Sequence, residues 1–184
     1  SEIFEELKRK NEQVVFISGH FNNFELMAME IEKSGIDVAA IYRPLNNIFL
    51  NKIMEKIRKQ YICKHQIKKG MSGAREIIKL YKDGFSMALM IDQRVREGIK
   101  LKFFDKQAST TTIPAQLVKK FGCKIVPIYI ERIDKFYYKM KINSPLNFDK
   151  NQSIENISSI LNTELEKMVL KKPSQWIWSH DRWK

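Results

Sequence analysis

Short apolar runs recur along this chain at residues 14–17, 38–42, 87–91 and 125–130, and nothing else in the sequence narrows the choice of fold as far. Runs of this length that are apolar throughout suit strands buried on both faces of a sheet. The stretches 24–33, 48–60, 73–82 and 114–121 lie between and around them, with apolar residues at helical spacing. A β, α, β, α order predicts an α/β fold with a central, mostly parallel sheet flanked by helices, because parallel neighbours need crossover connections. Residues 101–104 and 137–142 add two strands, the second antiparallel or at an edge. Pro127 removes one ladder donor and argues against a strand that is central along its whole length there. Gly35, Gly84 and Gly122 each stand between a helical stretch and a strand, as glycines in the left-handed conformation do at helix ends. A last amphipathic helix over 154–170 stops before Pro173. With no repeat and no linker, residues 1–184 read as one domain.

Composition restricts the partners. The 33 Lys and Arg against 21 Asp and Glu leave a charge of +12. That balance favours phosphate, anionic lipid head groups or an acidic protein. A basic nucleic-acid-binding module with stacking aromatics is one reading of it, but no RRM, KH, OB or helix-turn-helix signature supports nucleic acid as a partner. Cys63 and Cys123 form no CxxC pair, which argues against a disulfide framework or a zinc ribbon. His20, His65 and His180 fall in no metal-ligand spacing, so no metal is expected. No apolar run approaches the roughly 18 residues of a spanning helix.

The segment Ser18-Gly19-His20-Phe21-Asn22-Asn23-Phe24-Glu25 follows the first apolar run directly and opens the next helix. In parallel α/β sheets ligands bind beyond the carboxyl ends of strands, where His20 falls. On one continuous helix, five residues would turn His20 and Glu25 about 140° apart, so they meet only if His20 sits in the loop. Glu25 in the first helical turn would be favoured by the helix dipole. It would accept the proton on one imidazole nitrogen, leaving the other for a substrate hydroxyl. That is a general base with its orienting carboxylate, the nucleophile being supplied by the substrate.

Several blocks, taken in order, resemble the bacterial lipid A biosynthesis acyltransferases, the late lauroyl and myristoyl transferases. His20-Phe21-Asn22-Asn23-Phe24-Glu25 is similar to the family's HFGNWE block, with Asn for Gly and Phe for Trp. Tyr42-Arg43-Pro44 with Asn46 and Asn47 resembles its YRP segment, and Asp92-Gln93 its DQ pair. Phe103-Phe104 with Ala108 and Thr110 resembles FFG-x-x-A-x-T, Asp105 standing for the glycine. Val126-Pro127 followed by Arg132, and Trp178-Ser179-His180-Asp181-Arg182-Trp183 at the end, complete the series.

The resemblance implies a glycerol-phosphate-acyltransferase-like fold and transfer of a fatty acyl group to a hydroxyl of a lipid A precursor, with His20 as general base and Glu25 as its partner. Acyl carrier protein thioester would be the co-substrate, with no further cofactor. Arg43, Asp92, Gln93 and Arg132 become candidates for substrate binding or the electrostatic frame. Arg94 and Arg96, beyond a strand end, join Arg43 as candidate phosphate or carrier contacts. A related implied acceptor is another glycolipid, such as a mannosylated phosphoinositide. The family's members carry an N-terminal membrane anchor and about a hundred residues before the matching region. The expectation is therefore of a trimmed catalytic domain, working on the cytoplasmic face of the bacterial inner membrane.

Overall fold

A computed structural model describes the backbone of residues 1–184 and every side chain except that of Met71. The chain divides into two compact units, residues 1–16 with 25–89, and residues 17–24 with 90–184.

The first unit opens with α1 (Glu2–Lys10), where the Ser1 hydroxyl accepts the Phe4 N–H. Glu2 and Glu5 occupy its first turn and Lys8, Arg9 and Lys10 its last, both signs matched to the helix dipole. Then come β1 (Val15–Ser18), α2 (Glu25–Lys33), β2 (Val38–Tyr42), α3 (Ile48–Tyr61), β3 (His65–Lys68), α4 (Met71–Lys82) and β4 (Ser86–Met90). β2 pairs in parallel with β3, Ala39 opposite His65, and with β4, Val38 opposite Ser86. The strand order is β3-β2-β4-β1.

The second unit takes up the end of β1, followed by β5 (Ile99–Phe103), β6 (Lys106–Thr110), α5 (Ile113–Phe121), β7 (Ile125–Asp134), β8 (Tyr137–Ile142) and α6 (Ile154–Lys171). β7 lies between β1 and β8 and pairs antiparallel with β8. Ile125, Val126, Ile128 and Ile130 of β7 and Ile157, Leu161, Leu165 and Met168 of α6 are buried and build the core here. β5 and β6 form a separate hairpin, tied to α6 by the Asn162 amide, which donates to the Lys102 carbonyl at 2.9 Å and the Thr110 hydroxyl at 3.1 Å.

The mostly parallel sheet flanked by helices is the α/β class expected from the sequence, and Gly35, Gly84 and Gly122 have φ of 84°, 97° and 68°. β7 runs through Pro127, whose carbonyl accepts the Asn143 N–H at 2.9 Å. Two strands had no apolar signature. β3 reads His-Gln-Ile-Lys and buries only Ile67, while β6 begins with exposed Lys106 and Gln107. The hairpin turn also differs from expectation, for Phe104 leaves the strand. Phe104 and Asp105 have φ of 49° and 58°, the two left-handed residues of a type I′ turn.

Candidate active site

The second unit clamps the loop after β1 from the C-terminal tail. The Ile177 N–H donates to the His20 carbonyl at 3.0 Å and the Asn22 N–H to the Gln175 carbonyl at 3.1 Å, with Phe21 and Trp176 forming an antiparallel bridge. The loop turns at Asn22, whose φ is 43°. Asn tolerates that left-handed backbone better than most side chains, and its amide donates to the Gln175 side-chain oxygen. Ahead of His20, Gly19 has no room for a side chain. An added Cβ would stand 3.0 Å from the Leu165 Cδ1 and the Phe21 Cε2, and 3.2 Å from the Asp92 Oδ2.

That close approach sets His20 on Asp92. The imidazole Nδ1 lies 2.6 Å from the Asp92 Oδ1, while the Oδ2 accepts the His20 backbone N–H at 2.7 Å and the Trp176 indole N–H at 2.9 Å. Asp92 is 4% exposed. Burial alone would raise its pKa, but the hydrogen bond of the His20 imidazole, then the His20 N–H and the Trp176 indole, outweigh burial. The carboxyl is left below its ordinary 3.8. A buried, ionised carboxylate only accepts, so Nδ1 carries the imidazole proton and Nε2 is left with its lone pair. The Gln93 amide nitrogen sits 3.4 Å from that Nε2, and Phe24 packs edge-on against the ring, centroids 4.6 Å apart.

Behind this pair lies Arg182, completely buried. It donates to the carbonyls of Gln93 and Ser109 and to the Thr110 hydroxyl, the last at 3.1 Å. Burial draws its pKa down to about 10, against the pull of the Asp92 charge, so it remains a cation at neutral pH. Its guanidinium thus holds the backbone of Gln93, next to Asp92. The ring of Trp183 stacks on Phe103 with centroids 5.8 Å apart, and its indole N–H donates to the Phe103 carbonyl at 2.9 Å.

Of the residues singled out in the sequence, His20, Asp92 and Gln93 are brought together. Glu25 requires a correction. It is the first residue of α2 in the first unit, and its carboxylate is forked by Arg58 of α3, whose Nε lies 2.9 Å and Nη2 2.6 Å from the Oε1. The place on the imidazole expected for Glu25 is held by Asp92, because Nδ1 makes one bond and the tail and Gly19 aim it at that carboxylate. Arg43, after β2, is exposed, as are Arg94 and Arg96 in the turn beyond Gln93. Arg132 is exposed on β7, its guanidinium 5.5 Å above the Tyr138 ring.

Trp178 is 56% exposed and donates to the Pro173 carbonyl at 2.7 Å; Trp176 is the buried one. Trp176, Gly19 and Arg182 join the site with no sequence signal of their roles there, although the tail's tryptophans and the glycine beside His20 stand out in the sequence.

The whole chain, residues 1–184, matches the family model described as "Bacterial lipid A biosynthesis acyltransferase". It is 22% identical to the lipid A biosynthesis myristoyltransferase of Escherichia coli (strain K12) over 180 residues, covering 96% of this chain and 55% of that protein. The same figures hold for lipid A biosynthesis acyltransferase 1 of Shigella flexneri, so the chain spans about half the length of these relatives. In fold it is similar to the crystal structure of the 1-acyl-sn-glycerophosphate (LPA) acyltransferase PlsC of Thermotoga maritima. That likeness has a TM-score of 0.55 at 16% identity over 90% of this chain and 68% of that one.

Proposed function

Since the chain belongs to the bacterial lipid A biosynthesis acyltransferase family, we propose that it carries the catalytic residues for transfer of a fatty acyl group from an acyl carrier protein thioester to a hydroxyl of a lipid A precursor. The observation that carries the reading is the His20–Asp92 pair. A carboxylate holding the proton on Nδ1 leaves Nε2 free to take one from an acceptor hydroxyl. As that proton leaves, the hydroxyl oxygen bonds to the thioester carbonyl carbon and the carbonyl electrons move onto oxygen. Collapse of this tetrahedral species breaks the C–S bond, and the imidazolium returns its proton to the departing thiolate. No acyl-enzyme forms, because the acceptor is itself the nucleophile.

In this reading Asp92 orients the imidazole and stabilises the imidazolium, and the Gln93 amide beside Nε2 is placed to donate to the acceptor oxygen. Arg43, Arg94, Arg96 and Arg132 are exposed cations suited to an acidic carrier or to lipid phosphates. The setting is the cytoplasmic face of the inner membrane, where such an acceptor would be met. The test is transfer of a radiolabelled acyl chain from acyl carrier protein to a lipid A precursor, by the full-length protein and its His20→Ala variant. Positioned proton transfer contributes about 10²- to 10⁴-fold, and the variant is expected to lose that much while remaining folded, with a thermal midpoint lowered only by the one donor that Asp92 loses. Undiminished transfer by a folded His20→Ala protein would end the reading.

A further inference from the structure

In the first unit, α3 turns the wrong way out for a helix of a water-soluble domain. Its side-chain bonds to the protein come from Asn51, Glu55 and Arg58. Asn51 donates to Glu55, and Glu55 accepts the Tyr42 hydroxyl at 2.6 Å and pairs with Lys68 at 3.0 Å; Tyr42, Lys68 and Asn51 together hold its carboxyl at about 2. One turn on, Arg58 grips Glu25. None of its residues is buried. Exposed large apolar side chains are concentrated here: Leu45, Ile48, Phe49, Leu50, Ile53, Ile57 and Tyr61, seven of the twelve among the described residues, fall in residues 45–61. Phe49 is 80% exposed and Ile48 71%. Scattered apolar residues on a surface mean little, but a contiguous patch marks an interaction site.

The spacing gives the patch its shape. Phe49, Ile53 and Ile57 recur every four residues and form one stripe; Lys52, Lys56 and Lys59 form a second stripe beside it. All three lysines are exposed, and none joins an ion pair among the described residues. With Lys52, Lys56, Arg58 and Lys59 against Glu55, the helix carries +3. At fourteen residues it is about 21 Å long, and no helix among the described residues is long and apolar enough to cross a membrane. An apolar stripe alongside lysines is the build of a helix that lies in a bilayer surface. The apolar side enters the acyl boundary while lysine stems run along it and their ammonium groups stay with phosphates.

We propose that α3 is an interfacial helix that seats Phe49, Ile53 and Ile57 in an anionic lipid surface, with Lys52, Lys56 and Lys59 on the headgroup phosphates. The cap by Asn47, whose side chain accepts the Phe49 and Leu50 N–H groups, and the Glu55 and Arg58 pairs fix the helix so that its apolar side cannot turn inward. The proposal deepens the lipid-acceptor reading and rests on it for biological sense, but its measurement involves no acyl transfer.

The experiment is flotation with phosphatidylcholine vesicles, with and without phosphatidylglycerol, using the parent protein, a Phe49→Ser/Ile53→Ser variant and a Lys52→Gln/Lys56→Gln/Lys59→Gln variant. Circular dichroism checks each fold. Neutralising the lysines should weaken binding to anionic vesicles on the order of a hundredfold, and the apolar variant at least about tenfold. The lysine variant should bind anionic vesicles as weakly as the parent binds neutral ones. Unchanged flotation of the folded variants overturns the proposal. So does unchanged flotation with lost binding to acyl carrier protein, which would make the stripe a protein-docking face. Vesicle binding without acyl transfer would sink the proposed reaction and leave this inference standing.

Discussion

The loop bearing His20 and the helix α3 are both beside strand ends in the sequence, yet they were built to opposite rules. Around His20 the polar groups are aimed at one another: Asp92 takes three donors, the tail adds backbone bonds on either side of Phe21, and Gly19 leaves no spare volume. Along α3 it is Asn51, Glu55 and Arg58 that are spent on the protein, while Phe49, Ile53 and Ile57 face outward beside three exposed lysines. The first region stores its free energy in local geometry, so small changes there should be costly. The second holds unused apolar area, so changes there should be felt by a partner and hardly by the fold.

The largest effect should come from Asp92→Asn. The Oδ2 position receives two donors, so the amide oxygen is driven there and the NH2 faces the imidazole. Nδ1 must then accept, which moves the imidazole proton to Nε2 and removes the base. Transfer should fall on the order of 10²- to 10⁴-fold. Glu25→Gln, weakening only the Arg58 fork, should cost less; the opposite order in a kcat/KM comparison would return Glu25 to the imidazole. Next is Gly19→Ala, where a methyl group at 3.0 Å from two neighbours must displace the His20 loop. About 1–3 kcal/mol of stability should be lost, read by urea unfolding. Trp176→Phe keeps a ring beside Phe103 but leaves Asp92 one donor short, a cost of about 1–2 kcal/mol in the same experiment.

Smaller again is the acid response, since burial offsets part of what the donors contribute at Asp92. Its folded pKa is below the unfolded value, so the unfolded chain binds the proton first as pH falls. The contribution is fully present above the unfolded value near 3.8 and is lost on acidification through the lower folded one. The stability gap between the parent and Asp92→Asn should narrow below that pH. A gap constant from neutral to strongly acidic solution would mean that Asp92 is not held as an anion.

Residues whose own chemistry dictates their place are legible in the sequence, and those whose place depends on distant parts of the chain are not. The strands announced themselves by apolar runs and the helix ends by Gly35, Gly84 and Gly122. β3, beside β2 alone, buries a single isoleucine and left no pattern to read. His20 and Asp92 were each visible after an apolar run, but their pairing spans 72 positions and is enforced by Gly19 and Trp176, whose roles are steric and long-range. Local spacing favoured Glu25 for the same reason that it could not see Arg58. Two departures from the family pattern, Asn22 and Asp105 in place of glycine, both fall at positive φ, where Asn and Asp are the side chains best tolerated.

The least effect on the fold should be that of Phe49→Ser, and it is the most discriminating for the contrast between the two regions. Phe49 is 80% exposed, so removing its ring opens no cavity, and Ser and Phe have similar helix propensities. Thermal and urea midpoints should move by no more than about 0.5 kcal/mol equivalent, as for other surface substitutions. Losing an apolar ring from water should even raise solubility. The Trp176→Phe protein is the counterpart: a milder change of side chain with the larger expected loss of stability. If Phe49→Ser instead destabilised the fold as much as Trp176→Phe, the ring would have to be buried in the protein in solution. α3 would then be a packed element of the fold, and the division between an aimed site and an outward apolar helix would not hold.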